Sequence, residues 1–166
     1  MIARLGVLSD THGRVASCRR AVAALRAADV DALVHLGDVD SEGVLEELVG
    51  EPPAHVVFGN CDDERRLGRH ADRLGIHVAH PVGELRLAGR RVAFTHGHLS
   101  DAVRTAIGRH DLLLVGHSHR LGDERRDGTR VVNPGALFRA ARYTCCVVEG
   151  PDLRVSWIDV GREPDG

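Results

Sequence analysis

The sequence LGVLSDTH, residues 5–12, places an apolar run directly before an Asp-x-His pair. A short apolar run that stops at polar residues is typical of a buried strand ending in a loop. Asp10 and His12 therefore follow the carboxyl end of the first predicted strand, which is the edge where ligand sites form in open α/β sheets. Taken alone, an Asp-x-His pair is common in loops and indicates little.

The same arrangement recurs further along the chain, each time after an apolar run that predicts a strand. Each segment carries side chains that can bind metal, and a glycine beside them allows the chain to turn tightly. The segments are LGD at 36–38, FGNCD at 58–62, THGH at 95–98 and VGHSH at 115–119. Each pattern is weak by itself, but the ordered set points to one shared metal site.

The first half of the chain alternates between predicted strands and helices. Strands at residues 2–8, 30–36 and 54–58 are separated by helices at residues 16–28 and 41–49. This alternation is typical of parallel strands covered by helices.

The second half indicates antiparallel pairing, because short apolar runs there are separated by turns such as Asp127-Gly128. One further helix is predicted at residues 99–109. The predicted strands are 84–87, 91–95, 112–115, 123–126, 130–132, 144–148 and 153–159. We expect an α/β fold of two packed mixed β-sheets, a β-sandwich flanked by helices. Residues 1–166 are expected to form one domain, with residues 161–166 frayed.

The composition bounds the possible functions. Hydrophobic residues make up 43% and charged residues 28% of the 166 positions, as in a globular protein. The net charge is −2 and all 22 basic residues are scattered arginines, so nucleic acid is an unlikely partner. No apolar run approaches the ~20 residues of a membrane span, and residues 1–8 do not resemble a signal peptide. The four cysteines form no Cys-x-x-Cys pair, which favours a reducing, cytoplasmic location.

As an ordered set, Asp-x-His, Gly-Asp, Gly-Asn, His-Gly-His and Gly-His-x-His resemble the motifs of the calcineurin-like metallophosphoesterases. The Gly-Asn-Cys-Asp form at residues 59–62 and the Asn-Pro-Gly at 133–135 resemble the YfcE-like branch of that family. The resemblance extends from Leu5 to about Gly135. It implies the same two-sheet fold and a dinuclear metal centre that hydrolyses phosphoesters.

The resemblance also implies a ligand set for two metals. Asp10, His12 and His119 would hold the first metal, Asn60, His96 and His117 the second, and Asp38 would bridge them. Imidazole and carboxylate together suit transition metals better than Mg²⁺ or Ca²⁺. The expected cofactors are two divalent ions, with Mn²⁺ as first choice and Zn²⁺, Fe, Co²⁺ or Ni²⁺ as alternatives.

The expected catalytic residues are Asn60, Cys61 and His98. Much of the wider family has a proton-donating His after Gly-Asn, whereas this chain has Cys61, a weak hydrogen-bond donor that we expect beside the second metal. His98 is expected either to contact the substrate, and then possibly to donate the proton, or to support a ligand. The other histidines are interpreted as structural: His35 in the core or at a strand edge, and on the surface His55, His70, His77, His80 and His110.

The expected function is a phosphodiesterase that acts on small or activated phosphodiesters. Two alternatives on the same centre are a phosphomonoesterase and a nuclease. A third alternative is a non-catalytic protein-binding scaffold of the same fold, which the intact ligand set disfavours. The expected partner is a small phosphoester, and the chain allows a homodimer or tetramer without requiring one.

Overall fold

The computed structural model describes residues 1–162, so residues 163–166 of the predicted frayed end lie outside it. Strands and helices alternate through the first half, and strands dominate the second. In chain order they are β1 Arg4–Leu8, α1 Val15–Ala27, β2 Ala32–His35, α2 Glu42–Glu47, β3 Ala54–Val56, α3 Glu64–Leu74, β4 His77–Val78, β5 Gly83–Leu87, β6 Arg90–Thr95, α4 Ser100–Ala106, β7 Leu112–Val115, β8 Gly122–Arg126, β9 Thr129–Asn133, β10 Thr144–Glu149 and β11 Arg154–Asp159.

The strands form two mixed sheets, which confirms the predicted fold class. The six-stranded sheet has the order β11-β10-β1-β2-β3-β4, and the five-stranded sheet has the order β5-β6-β7-β9-β8. Strands β1, β2 and β3 run parallel, as do β6 and β7. The strands that precede the predicted ligands are therefore parallel neighbours within each sheet.

The sheets pack face to face and carry helices on their outer faces. An inner core fills the space between the sheets and includes Val7, Val34, Phe94 and Leu114. A second core packs α1, α2 and α3 onto the six-stranded sheet, and a smaller one packs α4 onto the five-stranded sheet. The molecule is thus layered as helix, sheet, sheet, helix.

Strand β10 shows how thoroughly the six-stranded sheet is buried. Cys145 packs into the core under the helices, whereas the adjacent Cys146 packs into the core between the sheets. Successive side chains of a strand point to opposite faces, and here both faces are covered. All four cysteines are free in the structure.

Two elements were not predicted. Helix α3 was not recognised because most of its positions are charged, although its buried residues Leu67 and Ala71 lie one helical turn apart. Strand β4 has only two residues, too few to give a pattern.

The prediction that five histidines lie on the surface is largely wrong. Among them only His77 is exposed, while the others are half-buried. They are held by acidic neighbours or by ring contacts: His70 with Glu42 and Glu46, His80 with Glu64, His110 with Glu84, and His55 against His77. No helix within residues 1–162 is long and apolar enough to span a membrane.

Candidate metal centre

The predicted ligands converge at one edge of the sandwich. Each follows a parallel strand, so the two sheets deliver their carboxyl-terminal loops to the same place. The loops after β1, β2 and β3 carry Asp10, His12, Asp38 and Asn60, and those after β6 and β7 carry His96, His117 and His119.

Four of these residues form a first group, whose ligand atoms all lie within 4.8 Å of one another: Asp10, His12, Asp38 and His119. Nε2 of His12 lies 3.2 Å from Nε2 of His119 and 3.4 Å from a carboxylate oxygen of Asp38. Nε2 of His119 lies 3.3 Å from Oδ1 of Asp10. Possible metal-ligand atoms from three loops therefore face a common point.

A second group contains Asp38, His96 and His117, again within 4.8 Å. Nε2 of His96 lies 3.4 Å from Oδ2 of Asp38 and 3.2 Å from the amide oxygen of Asn60. Asp38 belongs to both groups. It therefore lies between them, and its bridging of two metals stays a prediction.

The buried carboxylate of Asp10 provides a test of whether a cation fits here. Its Oδ2 accepts hydrogen bonds from the Ser9 hydroxyl at 2.5 Å and from the His117 backbone N–H at 3.1 Å. Its Oδ1 is buried and accepts no hydrogen bond. An unpaired buried carboxylate oxygen is costly, and a bound cation would remove that cost.

The two carboxylates also differ in their surroundings. Burial raises the pKa of Asp10 above its usual value, although Ser9 and the nearby imidazoles oppose this shift. Burial would also raise the pKa of Asp38, but hydrogen bonds from His96 and the Cys61 N–H hold that pKa below its usual range. Asp38 is therefore the carboxylate that stays ionised most readily without a cation.

The ligand loops hold an unusual backbone conformation. Five ligands lie in the left-handed region, with φ of 55° at Asp10, 45° at His12, 52° at Asp38, 67° at His117 and 58° at His119. Such a conformation costs free energy in residues other than glycine and persists where surrounding contacts impose it. Strain concentrated on the ligands is typical of a functional site.

Two glycines leave the space that the carboxylates occupy. A Cβ on Gly59 would lie 2.1 Å from Oδ1 of Asp38, and one on Gly116 would lie 2.1 Å from Oγ of Ser9 and 2.9 Å from Oδ2 of Asp10. Real Cβ atoms do not approach other atoms this closely. Gly59 and Gly116 are thus required by the close approach of neighbouring loops.

Residues around the ligands fix their orientation. Nδ1 of His96 donates to the Leu36 carbonyl at 2.8 Å, and Nδ1 of His12 lies 2.9 Å from a carboxylate oxygen of Asp40. Asp62 accepts hydrogen bonds from the backbone N–H groups of Asp40 and Gly59 at 2.7 and 2.8 Å. Asp62 therefore ties two ligand loops together.

Asn133 supports the loop that carries His117 and His119. Its side-chain amide donates to the Gly116 carbonyl at 2.9 Å and to the Ser118 hydroxyl at 3.1 Å. Sequence reasoning noted Asn133 only as part of a motif and assigned no role to Asp40. The available signal was the Asp that ends Gly-Asp-x-Asp at residues 37–40 and Gly-Asn-x-Asp at residues 59–62.

The predicted catalytic residues lie around this centre. Cys61 is exposed, and its thiol lies within 4.8 Å of ligand atoms of His12 and Asp40. Its Sγ also accepts a hydrogen bond from the side-chain amide of Asn60 at 3.4 Å, and its backbone N–H donates to Asp38 at 3.0 Å, so the residue borders both groups. Its place beside the second metal stays a prediction. Burial and the charges of Asp38 and Asp40 raise the pKa of this thiol to about 11.

His98 lies beside the second group. Its ring centroid is 5.3 Å from that of His96 and 6.2 Å from that of His117. Its Nδ1 is buried without a hydrogen-bond partner. Burial and the charges of His96 and His117 lower the pKa of His98.

A two-sheet sandwich that gathers carboxylate, amide and imidazole groups at its strand ends has the architecture of a metal-dependent hydrolase. The chain belongs to the calcineurin-like phosphoesterase superfamily, whose domain model matches residues 3–150. This confirms the resemblance stated from the motifs, and with it the expectation of a phosphoester hydrolase. Divalent metal ions are typical of this family.

Comparisons with individual proteins agree. The probable metallophosphoesterase YsnB of Bacillus subtilis is 32% identical over 166 residues, covering 92% of this chain and 89% of YsnB. Phosphodiesterase YfcE of Escherichia coli is 30% identical, over 81% of this chain and 79% of YfcE. A solved archaeal phosphodiesterase shares the fold with a TM-score of 0.83 at 24% identity, covering 94% of this chain and 99% of that one.

Proposed function

We propose that the chain is a phosphodiesterase that hydrolyses small or activated phosphodiesters at a dinuclear metal centre. The observation that carries this proposal is the position of Asp38, which belongs to both ligand groups. A carboxylate shared by two groups of ligands is what two neighbouring metal ions require. The names of the relatives YfcE and YsnB support the same reaction class.

The proposed ligands are those predicted from the sequence: Asp10, His12 and His119 for one ion, Asn60, His96 and His117 for the other, and Asp38 for both. Two divalent ions supply positive charge opposite a phosphate and lower the pKa of bound water toward ~7. Only Asp10 and Asp38 among these ligands carry negative charge, so the loaded site stays cationic and attracts a phosphodiester anion. Mn²⁺ remains our first choice among the divalent transition metals.

The chain's own residues would orient the substrate and handle the proton of the leaving oxygen. Asn60 is exposed at the mouth of the site, where its amide can donate to a phosphate oxygen. We assign the proton to His98 or to water, because the Cys61 thiol is a weak donor. Good leaving groups need little help from an acid, which favours activated diesters.

Three further expectations stay predictions: a single domain over residues 1–166, a homodimer or tetramer, and a cytoplasmic location. Nucleic acid is disfavoured by the net charge of −2.

The test is hydrolysis of bis(4-nitrophenyl) phosphate by protein that has been stripped of metal and reloaded with Mn²⁺, Zn²⁺, Fe²⁺, Co²⁺ or Ni²⁺. We expect turnover that tracks a metal content approaching two ions per chain. 4-Nitrophenyl phosphate and a single-stranded oligonucleotide serve as the monoesterase and nuclease comparisons. Saturation at one ion would refute the dinuclear centre, and faster turnover of the monoester would refute the diesterase assignment.

A further inference from the structure

A cavity adjoins the candidate metal centre on the side of His119. It has a volume of about 530 Å³, and its wall includes His119, Arg120, Gly135, Arg139 and Arg142. This volume falls within the ~300–1,000 Å³ of typical small-molecule pockets. We call this cavity the arginine pocket.

Phe138 connects the arginine pocket to the metal centre. Its ring centroid lies 5.4 Å from the ring of His12. The guanidinium carbons of Arg14 and Arg139 lie 4.7 and 5.1 Å from the same centroid. Contacts of this kind hold a guanidinium group in place while leaving its N–H donors free. One aromatic ring thus positions two cations next to a predicted metal ligand.

The charges of these arginines are not neutralised locally. Arg14, Arg120 and Arg139 form no ion pair with any of residues 1–162, whereas Arg142 on the same wall is paired with Asp159 at 2.8 Å. Helix α1, which starts directly after Arg14, has no acidic residue in its first turn. An anion that enters this region would therefore meet guanidinium groups that are not engaged by a carboxylate of residues 1–162.

The backbone at Arg139 supports this interpretation. Arg139 has a φ of 47°, in the left-handed region that side chains rarely adopt. Strained residues of this kind cluster at functional sites. Here the strain places a guanidinium group between Phe138 and the cavity, although repulsion from the neighbouring arginines opposes that position.

We propose that the arginine pocket binds a second phosphate group carried by one arm of the phosphodiester substrate. The inference rests on the proposed function and names the substrate class more closely: a small diester with a phosphorylated arm. Guanidinium groups match phosphate oxygens in geometry and charge. The cavity is large enough for one nucleotide-sized arm.

The test compares two substrates that differ by one phosphate: thymidine 5′-(4-nitrophenyl phosphate) and its 3′-phosphorylated form. Both release the same phenolate from the same diester. The wild-type protein should favour the phosphorylated form in kcat/KM by about tenfold or more, as expected for charge-assisted hydrogen bonds. The preference should shrink with added salt.

The variants Arg120→Ala and Arg139→Ala, which remove the two arginines of the pocket wall that lack an ion pair within residues 1–162, should each reduce this preference, and the double variant should bring the ratio close to one. Arg69→Ala is the matched control, because Arg69 is exposed on α3 away from the buried face of that helix. It should keep the wild-type ratio. A binding measurement, calorimetry of thymidine 3′,5′-bisphosphate against thymidine 5′-phosphate, should show the same loss of preference.

The outcomes separate this inference from the proposed function. Equal kcat/KM for the two substrates in the wild type would overturn the arginine pocket while leaving the phosphodiesterase intact. If neither substrate is hydrolysed, the proposed function is in question, and equal affinity for the two thymidine phosphates in calorimetry would then overturn the pocket. An oligonucleotide arm that outperforms the single phosphorylated nucleoside would overturn the restriction to small substrates.

Discussion

The Nδ1 atom of His12 lies 2.9 Å from a carboxylate oxygen of Asp40. An imidazole that donates through Nδ1 keeps the lone pair on Nε2 available for a metal. Nε2 of His12 is the atom that faces His119 and Asp38. Asp40 therefore selects the tautomer that a metal ligand needs and fixes the plane of the ring.

We expect Asp40→Ala to weaken metal binding by about 10- to 100-fold, because the ring of His12 loses its orienting partner. Calorimetric titration of the stripped protein with Mn²⁺ measures this affinity. Asp72→Ala, at an exposed position of α3, is the matched control and should bind like the wild type. Unchanged affinity in Asp40→Ala would show that the contact does not orient a ligand.

Asp38→Ala should be the most damaging single change among the ligands. Because Asp38 belongs to both groups, its loss should lower the metal content toward zero, whereas His12→Ala should retain part of the second ion. Elemental analysis after reloading, together with turnover of bis(4-nitrophenyl) phosphate, distinguishes these cases. Near-normal turnover in Asp38→Ala alongside an inactive His12→Ala would contradict the bridging assignment.

His35 should make the metal-free protein sensitive to acid. Burial, with the charge of His96, lowers the pKa of His35 to about 3, and its Nδ1 accepts a hydrogen bond from the Gly37 N–H. The unfolded chain has an ordinary His pKa near ~6.5, so between these values it binds a proton that the folded chain does not. Stability should therefore fall as the pH falls below ~6.5, by at most about 1.4 kcal/mol per pH unit from this residue.

The variant His35→Gln removes this titration. Urea unfolding in chelator from pH 4.5 to 7.5 should show that the wild type loses more stability than the variant toward the acid end. Parallel pH curves for the two proteins would mean that His35 is not the group responsible.

Because the Cys61 thiol is a weak proton donor, we expect turnover to depend strongly on the pKa of the leaving group. Aryl diesters should react fast and alkyl diesters slowly, because a positioned acid contributes ~10²–10⁴-fold mainly to poor leaving groups. Cys61→His should then raise activity on alkyl esters more than on aryl diesters. The measurement is a leaving-group series for both proteins. A flat series for the wild type would show that another group, with His98 the first candidate, already donates the proton.

Much of the fold was predictable because its strands are short apolar runs that end in recognisable loops. The run before Asp10 and the turn at Asp127-Gly128 both appear where the sequence placed them, and the turn joins β8 to β9. Helix α3 was missed because most of its positions are charged, although Leu67 and Ala71 lie one helical turn apart and Asp63 caps its start. Those features were the available signal, since a narrow apolar stripe on a charged segment is the pattern of an amphipathic surface helix.

The candidate site was also predictable only in part. The ligand types and their positions after strands could be read from the motifs, but the contacts between loops could not. The hydrogen bonds that Asp62 accepts from the N–H groups of Asp40 and Gly59 depend on how two loops meet in space. The hydrogen bond from the Cys61 N–H to Asp38 also joins two loops, and sequence spacing does not encode it.

The pairing of β1 with β10 has a consequence for how the protein is made. Val7 of β1 lies opposite Cys146 on one side and Val34 on the other. During synthesis β2 emerges soon after β1, but residues 144–149 leave the ribosome much later, after β3 to β9. Contacts so distant in sequence form slowly, and an unpaired strand edge invites aggregation meanwhile. The nascent chain must therefore protect the edge of β1, and with it the loop of Asp10, until β10 has been made.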